Sequence, residues 1–376
     1  MLLKWISYIG IFILSIFIKP FVKIKDDLLV FGCRGGIGFE GNTKYLYLYG
    51  IKHTDFDCIF ITKNKKIYKN LSLKGYKVVY YYSLKAVLLT LRAKYIFITH
   101  GLLDIPPVWF KKNNCIINVW HGIPIKKINL CDKNIRKVGR ILDILRDYRT
   151  NYFISNSKRF NIYYKQCFNL TDKKLKVLGL ARINYLIKPE MFIDNKNQKS
   201  NKKIFLYAPT FRDYKVEYEF LKKENLEKIQ VFLEKNDYKL WIKLHPFVTK
   251  NLNLKEYKNI KMIEANEDVY ELLPLVDVLI SDYSSIIIDF LIAYPYKQLL
   301  LYCFDLEKYK QERGFVFNFE NKFKNIIFKE FDELFQIITN GDNKNGIDRE
   351  FFYNMSLLGK ECELHFNKIK QKIFKC

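Results

Sequence analysis

The sequence predicts an α/β protein with two doubly wound domains that face each other across a cleft. Three observations predict this fold class. The chain of 376 residues suits two domains of ordinary size. Short apolar runs alternate with helical stretches, and the runs are nearly continuous, which is typical of parallel strands covered on both faces. A polar, charged segment at 188–203 then divides this pattern into two halves.

The first 25 residues predict a helix that lies at a membrane surface. Fourteen residues without a charge, WISYIGIFILSIFI, lie between Lys4 and Lys19. This run is shorter than the roughly 20 residues that cross a bilayer, and no small-residue cleavage site of a signal peptide follows it. Lysines on both sides of an aromatic-rich apolar segment suit a helix in the cytoplasmic membrane interface. A buried first helix of the fold is the alternative.

The strand pattern assigns residues 26–195 to an N-terminal domain, residues 200–345 to a C-terminal domain and residues 346–376 to an amphipathic helix. Candidate strands of the first domain lie at 27–34, 56–62, 76–83, 94–101, 114–122 and 152–157. Those of the second domain lie at 204–210, 238–246, 260–265, 276–285 and 297–303. Ligands of doubly wound sheets bind outside the carboxyl ends of the strands, so we expect the functional residues there.

The net charge and the cysteines indicate which class of partner and which cellular compartment suit the protein. The formal net charge of +25 suits phosphorylated substrates, a membrane surface or nucleic acid. Nucleic acid is disfavoured because no recognition motif accompanies the charge. Neither a dinucleotide-binding nor a P-loop motif is present. The eight cysteines form no C-x-x-C pair, which predicts buried free thiols in a reducing compartment.

The WHGIP and KLHP clusters at strand ends each contain a histidine, and His100 ends the candidate strand at 94–101. In WHGIP, Gly122 and Pro124 shape a turn that would leave His121 at the rim of the sheet. In KLHP, Lys243 and His245 would point to the same side of the strand, because side chains alternate with a period of two. Each cluster taken alone favours a structural histidine over a catalytic one.

Two further strand ends carry groups that suit phosphate. In YAPTFRD, Thr210 and Arg212 follow the strand, and a guanidinium offers a planar fork for phosphate oxygens. An ion pair with Asp213 explains this arginine equally well. In LISDYSSIIIDFL, Ser284 and Ser285 fall at the start of a helix, where free N–H groups and the positive dipole end bind anions. A helix N-cap is the alternative for these serines.

Taken together and in this order, the clusters resemble the CDP-glycerol glycerophosphotransferase family, which builds teichoic acids and related phosphate-linked polymers. The family motifs W-H-G-T-P-L-K, Y-A-P-T-F-R, K-x-H-P and D-x-L-I-[ST]-D-Y-S-S are matched at 120–126, 207–212, 243–246 and 277–285. Further matches lie at 42–47 and 313–315. The sequence departs from the family at Ile123, which replaces a threonine, and in GLARIN (179–184), which replaces G-Y-P-R-N-D. The resemblance covers about residues 27–320.

The resemblance implies a GT-B-like fold with an N-terminal acceptor domain and a C-terminal CDP-binding domain. It implies a bacterial enzyme, peripheral on the cytoplasmic face of the cell membrane, which offers an anionic surface. Such an enzyme transfers glycerol phosphate or a related polyol phosphate from a CDP-linked donor to a hydroxyl of a lipid-linked or glycan acceptor. CMP is released, and the product is teichoic acid, capsule or lipopolysaccharide. No cofactor is expected besides the donor substrate, which is CDP-glycerol or a related CDP-alditol. No metal is expected either.

Roles of single residues follow from the matching motifs. His121 is the expected general base, and His245 is expected to offset charge on the leaving phosphate. The donor is expected at Thr210, Arg212, Lys243, Asp282, Ser284, Ser285 and Arg313, and the acceptor at Asn42, Lys44, Gly122, Lys126, Lys127 and Arg182. Two alternatives stay open. One is a glycosyltransferase of the same fold class that uses a nucleotide sugar, and the other is a non-enzymatic membrane module that binds an anionic polymer through the basic region 111–159.

Overall fold

The computed structural model describes residues 2–133, 149–192, 201–244, 257–264, 267–341 and 359–374. It has an α/β fold with two sheets, one from each half of the chain, and every strand pairing within them is parallel. The predicted fold class is therefore confirmed at this level. Parallel sheets need helices on both faces, which explains why the strands are apolar along most of their length.

The first sheet has seven strands in the order β3-β2-β1-β4-β5-β6-β7. The strands are β1 Lys25–Phe31, β2 Asp57–Thr62, β3 Val78–Tyr80, β4 Ala93–Ile98, β5 Cys115–Asn118, β6 Tyr152–Ser155 and β7 Leu175–Val177. The helices of this domain are α2 Gly41–His53, α3 Lys65–Leu73, α4 Leu84–Arg92, α5 Asn161–Phe168 and α6 Ala181–Ile187. The strand order reverses between β1 and β4, the kind of position at which doubly wound sheets bind ligands.

The second sheet has six strands in the order β10-β9-β8-β11-β12-β13. The strands are β8 Ile204–Tyr207, β9 Lys239–Ile242, β10 Ile260–Met262, β11 Val278–Ser281, β12 Gln298–Tyr302 and β13 Ile327–Phe328. The helices are α7 Lys223–Asn236, α8 Val269–Leu272, α9 Ile286–Ala293, α10 Leu306–Glu312, α11 Phe319–Phe323 and α12 Phe331–Asn340. Here the order reverses between β8 and β11.

Every predicted strand is present, but most end earlier than predicted. β5 ends at Asn118, whose side-chain Oδ1 accepts a hydrogen bond from the backbone N of Trp120 at 2.9 Å. Trp120 then takes a φ of +50°, which turns the chain out of the sheet. The sequence does not predict β7 and β13, the second of which has only two residues.

The N-terminal helix α1, Leu2–Ile18, packs one of its faces on the first domain. Ser15 is fully buried there, and its Oγ accepts a hydrogen bond from the backbone N of Trp109 at 2.8 Å. The other face leaves apolar side chains exposed, among them Ile9, Ile13, Leu14, Ile16 and Phe17. Over the residues that the structure describes, no helix has the length and apolar character that crossing a membrane requires.

The C-terminal helix α13, Glu361–Lys370, packs on α2 and α6 of the first domain. The side chain of Asn184 accepts a hydrogen bond from the backbone N of Cys362 at 3.0 Å, and the ring of Phe366 lies 5.6 Å from that of Tyr49. The chain therefore returns to the N-terminal domain at its end, which ties the two domains together.

The described cysteines are free thiols with one exception. Cys115, the first residue of β5, is disulfide-bonded, whereas Cys33, Cys58, Cys131, Cys167, Cys303 and Cys362 are free. The expectation of free thiols throughout is therefore wrong at Cys115. Disulfide pairing depends on the distance between two cysteines in the fold, which their spacing along the chain does not reveal.

Candidate active site

A cavity of about 390 Å³ lies between the two domains, at the carboxyl ends of their strands. The turns after β5, β8, β9 and β11 all contribute to its lining, with residues at 120–126, 208–211, 243–244 and 283–286. The four clusters that the sequence singled out are therefore brought to one place. His245 lies outside the described residues, so its catalytic role stays a prediction.

Buried amides fix the turn that carries His121. Trp120 has a left-handed backbone conformation that is unusual for a bulky residue and needs support. The side-chain Nδ2 of Asn42 supplies it, donating to the carbonyl oxygens of Val119 and Trp120 at 2.9 and 2.8 Å. Asn42 was predicted to bind the acceptor; its side chain is completely buried against this turn and also lines a smaller cavity beside His121. From there it positions His121.

The His121 imidazole stacks on His100, with ring centroids 4.0 Å apart. Its Nδ1 faces the carbonyl oxygen of Thr99 at 3.5 Å, which assigns the proton to Nδ1 and leaves the lone pair on Nε2. The ring is exposed on the side of the cavity. Desolvation by burial, followed by repulsion from His100, holds the pKa of His121 well below its usual range. At neutral pH the ring is therefore an unprotonated base.

The start of α9 faces His121 from the second domain. Ser284 and Ser285 both line the cavity, and Ser285 makes no capping hydrogen bond with its hydroxyl. A Cβ atom added to Gly122 would lie 2.7 Å from the Ser285 Oγ. The turn of one domain therefore approaches the helix start of the other so closely that a larger residue than glycine would displace the Ser285 side chain. The positive dipole end of α9 and the two serine hydroxyls make this point attractive to an anion.

Arg212 is engaged with carboxylates, although it was predicted to bind phosphate. It is 3% exposed, and its Nε and Nη2 donate to the carboxylate of Asp305 at 2.7 and 2.9 Å. Its Nη1 lies 2.8 Å from an Asp282 oxygen. Asp282 in turn accepts from the backbone N of Thr210 at 2.9 Å and of Tyr283 at 2.5 Å. Arg212 and Asp282 thus order the turn that carries the two serines.

Three predicted residues present polar groups to the cavity. The Thr210 Oγ1 is buried without a hydrogen-bond partner among the described residues. Lys243 donates to the carbonyl oxygen of Glu264 at 2.5 Å. Burial, followed by repulsion from Arg313, lowers the pKa of Lys126 to about 8. None of the described lining residues carries a carboxylate, so the cavity suits an anionic ligand.

Lys44 and Arg182 lie outside this cavity, in ion pairs that join the two domains. Arg182 donates its Nε and Nη2 to Asp289 at 2.9 and 3.0 Å, and both side chains are completely buried. Lys44 donates to Asp268 at 2.8 Å and to Glu271 at 2.7 Å. These two residues were predicted to bind the acceptor. The structure instead has them set the relative orientation of the domains.

Arg313 and Lys127 also join the domains and do not line the cavity. Arg313 was predicted to bind the donor, but it pairs with Asp132 of the first domain at 2.7 Å and with Asp213 of its own domain. The backbone N of Lys127, predicted to bind the acceptor, donates to the carbonyl oxygen of Gly314 at 3.1 Å. These contacts hold the turn after β5 against the second domain.

The sequence did not reveal three residues that support the site. Tyr270 lines the cavity and donates to Asp289 at 2.7 Å. Asp104 accepts hydrogen bonds from the backbone N–H groups of Thr99 and Gly35, both at 2.6 Å. The proximity of Asp104 to a strand end was the one signal available. Tyr270 and Asp289 lie within helices, where no local sequence pattern distinguishes them from other helical residues.

Known proteins resemble this chain along most of its length. Teichoic acid ribitol-phosphate polymerase TarL of Staphylococcus aureus is 30% identical over 282 residues, 70% of this chain and 49% of that protein. Teichoic acid glycerol-phosphate primase of Bacillus subtilis is 31% identical over 251 residues, 63% of this chain and 62% of that protein. The chain thus spans less than two thirds of the length of both relatives.

Structure and family comparisons agree with these similarities. A solved structure of the wall teichoic acid polymerase TagF superimposes with a TM-score of 0.77, covering 93% of this chain and 90% of that chain at 24% identity. This likeness shows a shared fold. Residues 14–355 match the model of the CDP-glycerol:poly(glycerophosphate) glycerophosphotransferase family, and the chain therefore belongs to that family.

Proposed function

We propose that this chain transfers glycerol phosphate, or a related polyol phosphate, from CDP-glycerol or a similar CDP-alditol to an acceptor hydroxyl and releases CMP. One observation carries the proposal. His121 of the first domain lies opposite the serine-bearing start of α9 in a cavity whose described lining holds no carboxylate. Family membership supports the same reaction. The acceptor would be a lipid-linked or glycan chain in the synthesis of teichoic acid, capsule or lipopolysaccharide.

In the proposed reaction the acceptor oxygen attacks the β-phosphorus of the donor. A new P–O bond forms, and the bond between the β-phosphorus and the bridging oxygen breaks, so that CMP leaves with that oxygen and its electron pair. A hydroxyl is a weak nucleophile at neutral pH, and a positioned base contributes about 10²–10⁴-fold to such a step. Nε2 of His121 takes the hydroxyl proton, because the contact with Thr99 holds the other ring nitrogen in its protonated form.

Charge on the transferring phosphate must be offset as the bond to CMP breaks. Lys126, the hydroxyls of Ser284 and Ser285 and the first turn of α9 are placed to do this. Thr210 adds a hydroxyl without a described partner. No cluster of three metal-ligating side chains was found among the residues described, and the expectation that neither a metal nor a cofactor takes part stays a prediction.

We predict that donor affinity falls at alkaline pH because Lys126 loses its charge. With a pKa of about 8, the ammonium is charged below pH 8 and neutral above it. The dissociation constant of CDP-glycerol, measured by isothermal titration, should therefore rise with pH by up to about tenfold per pH unit. The rise should begin near pH 8, the pKa of Lys126 in the free protein, and end at the higher pKa that Lys126 has in the complex. Lys126→Met should weaken binding about tenfold at pH 7, which corresponds to one charged hydrogen bond.

Two further variants sharpen this test. Lys126→Arg keeps its charge at every pH used and should bind well with a flatter pH dependence. The matched control is Lys85→Met on an exposed lysine of the first domain, which should behave as wild type. An unchanged pH dependence in Lys126→Met would show that Lys126 does not contact the donor.

A donor panel tests the proposed reaction itself. Purified protein would be incubated with CDP-glycerol, CDP-ribitol and nucleotide sugars, together with glycerol phosphate-terminated acceptors, and CMP release would be followed. The proposal predicts acceptor-dependent CMP release from a CDP-alditol. Transfer from a nucleotide sugar alone would favour the glycosyltransferase, and polymer binding without any turnover would favour the non-enzymatic module.

We further propose that the two sheets form a GT-B arrangement. Two domains with the strand order of doubly wound sheets meet at the carboxyl ends of their strands, and α13 returns from the second domain to the first. In this arrangement the first domain would hold the acceptor and the second the CDP moiety. The orientation is consistent with His121 on one side of the cavity and the start of α9 on the other.

We also propose that the exposed face of α1 lies on an anionic membrane surface, the cytoplasmic face of the cell membrane. Phe17 on α1 and Phe21 in the turn that follows it are 69% and 86% exposed beside Lys19 and Lys23, which suits a segment in the interface. The double variant Phe17→Ser/Phe21→Ser should reduce co-sedimentation with phosphatidylglycerol vesicles more than tenfold, since burying each ring contributes about 1.5–3 kcal/mol. Tyr296→Ser, at a 95% exposed aromatic of the second domain, is the control. Equal sedimentation of both variants with the vesicles would show that this face of α1 does not bind the membrane.

A further inference from the structure

A second, smaller cavity adjoins the first at His121. Its volume is about 190 Å³, and His121, Lys243 and Tyr270 line both cavities. Its other walls come from the glycine-rich loop after β1, from the turn after β4 and from the segment that precedes α8. We call this cavity the small chamber, and its charged residues are Arg34, Glu40, Lys243, Glu267 and Asp268. A substrate group that contacts His121 from the larger cavity therefore lies next to this chamber.

The small chamber is close to electrically neutral, in contrast to the larger cavity. Arg34 and Lys243 contribute two positive charges, and Glu40 and Glu267 contribute two negative ones. The carboxylate of Asp268 is already paired with Lys44 at 2.8 Å. Carboxylates repel a phosphate, so this balance favours an uncharged ligand. The described lining of the larger cavity has lysines and no carboxylates, which favours an anionic ligand.

Arg34 and Glu40 offer a donor and an acceptor side by side. The Nη1 of Arg34 lies 3.1 Å from one oxygen of Glu40 and 3.2 Å from the other. The Nε of Arg34 is buried without a hydrogen-bond partner among the described residues. Each hydroxyl of a vicinal diol both donates and accepts a hydrogen bond. Such a diol can therefore accept from the guanidinium and donate to the carboxylate.

Hydrogen bonds to the turn after β4 hold the loop that carries Arg34. The backbone N of Arg34 donates to Thr99 Oγ1 at 3.3 Å, and the backbone N of Gly35 donates to Asp104 at 2.6 Å. Arg34 and Gly35 both have positive φ, at +46° and +62°. Asp104 also accepts from the backbone N of His100 at 2.8 Å. One buried carboxylate thus sets the glycine-rich loop and the ring on which His121 stacks.

We propose that the small chamber binds the uncharged polyol end of a substrate through Arg34 and Glu40, and so places it against His121. This inference rests on the proposed function, because it assumes a glycerol phosphate or similar substrate. Two sources share the chemistry. The polyol is either the glycerol of the CDP-linked donor or the terminal glycerol of the acceptor, whose hydroxyl is the nucleophile.

Binding and kinetics together test the inference and separate the two sources. The variant Glu40→Gln keeps the shape of the side chain and removes its charge, and Arg34→Met is the second variant. Isothermal titration would compare CDP-glycerol with CDP, which lacks the polyol. The KM of a glycerol phosphate-terminated acceptor would be measured alongside, and thermal unfolding would show whether each variant is folded. Glu190→Gln, at an exposed glutamate of the first domain, is the matched control.

If the chamber holds the donor's glycerol, each variant should bind CDP-glycerol about tenfold more weakly and CDP as wild type does. If it holds the acceptor's glycerol, binding of both nucleotides should be unchanged and the acceptor KM should rise about tenfold. Folded variants that match Glu190→Gln in all three measurements would overturn the inference. Absence of any nucleotide binding by the wild type would instead overturn the proposed function, and this inference with it.

Discussion

Replacing His121 with alanine is expected to abolish CMP release while donor binding stays within a few-fold of wild type. The loss should be about 10²–10⁴-fold in kcat, the usual contribution of a positioned base. The imidazole adjoins both cavities but is not part of the start of α9, where the donor phosphates are proposed to bind. Single-turnover CMP release and isothermal titration with CDP-glycerol would measure the two effects separately.

The pH dependence of the wild type provides a second readout for His121. Its pKa is lowered from 6.5 by desolvation, so the imidazole is a neutral base above that pH and gains a proton as the pH falls. The acidic limb of kcat/KM should therefore lie below pH 6.5. His53→Ala is the matched control, since His53 is exposed at the end of α2. Turnover of His121→Ala within a few-fold of wild type would exclude it as the base.

Replacing Asp289 with alanine is expected to destabilise the protein by about 3–5 kcal/mol. The change removes the partner of a completely buried guanidinium, and an uncompensated buried charge costs this much. It also leaves the hydroxyl of Tyr270 without its acceptor. Denaturant midpoints would be compared for Asp289→Ala, Arg182→Met and the double variant. The double variant should be less destabilised than the sum of the two single changes.

An exposed ion pair of the first domain gives the matched comparison. Lys77 pairs with Asp57 at 2.7 Å on the surface, and such pairs contribute about 0–1 kcal/mol. Asp57→Ala should therefore shift the midpoint far less than Asp289→Ala. Equal shifts for the two variants would mean that the Arg182–Asp289 pair does not hold the domains together.

The two sheets could be predicted because their strands are apolar at nearly every position. In β11, Val278–Ser281, all four residues are buried, and the last four residues of β1 are buried too. The residues at which the strands end could not be predicted from the sequence. A turn such as that at Trp120 depends on hydrogen-bond partners that are distant in the sequence. Asn42, which supports it, lies 78 positions away.

The candidate site could be predicted in part. Glycine, histidine and serine found together at strand ends suit few roles other than an active site. The fold brings His121, Gly122 and Ser285 together. Basic residues were harder to place. A guanidinium suits a carboxylate as well as a phosphate, so residue type alone could not show that Arg182 pairs with Asp289, 107 positions away.

A crystal structure of His121→Ala soaked with CDP-glycerol would test the central claim most directly, because slow turnover should preserve the donor. We expect the diphosphate in the larger cavity, within hydrogen-bond distance of Ser284, Ser285 and Lys126, with the β-phosphorus facing position 121. A diphosphate bound outside this cavity, or one that displaces the carboxylates from Arg212, would contradict the account.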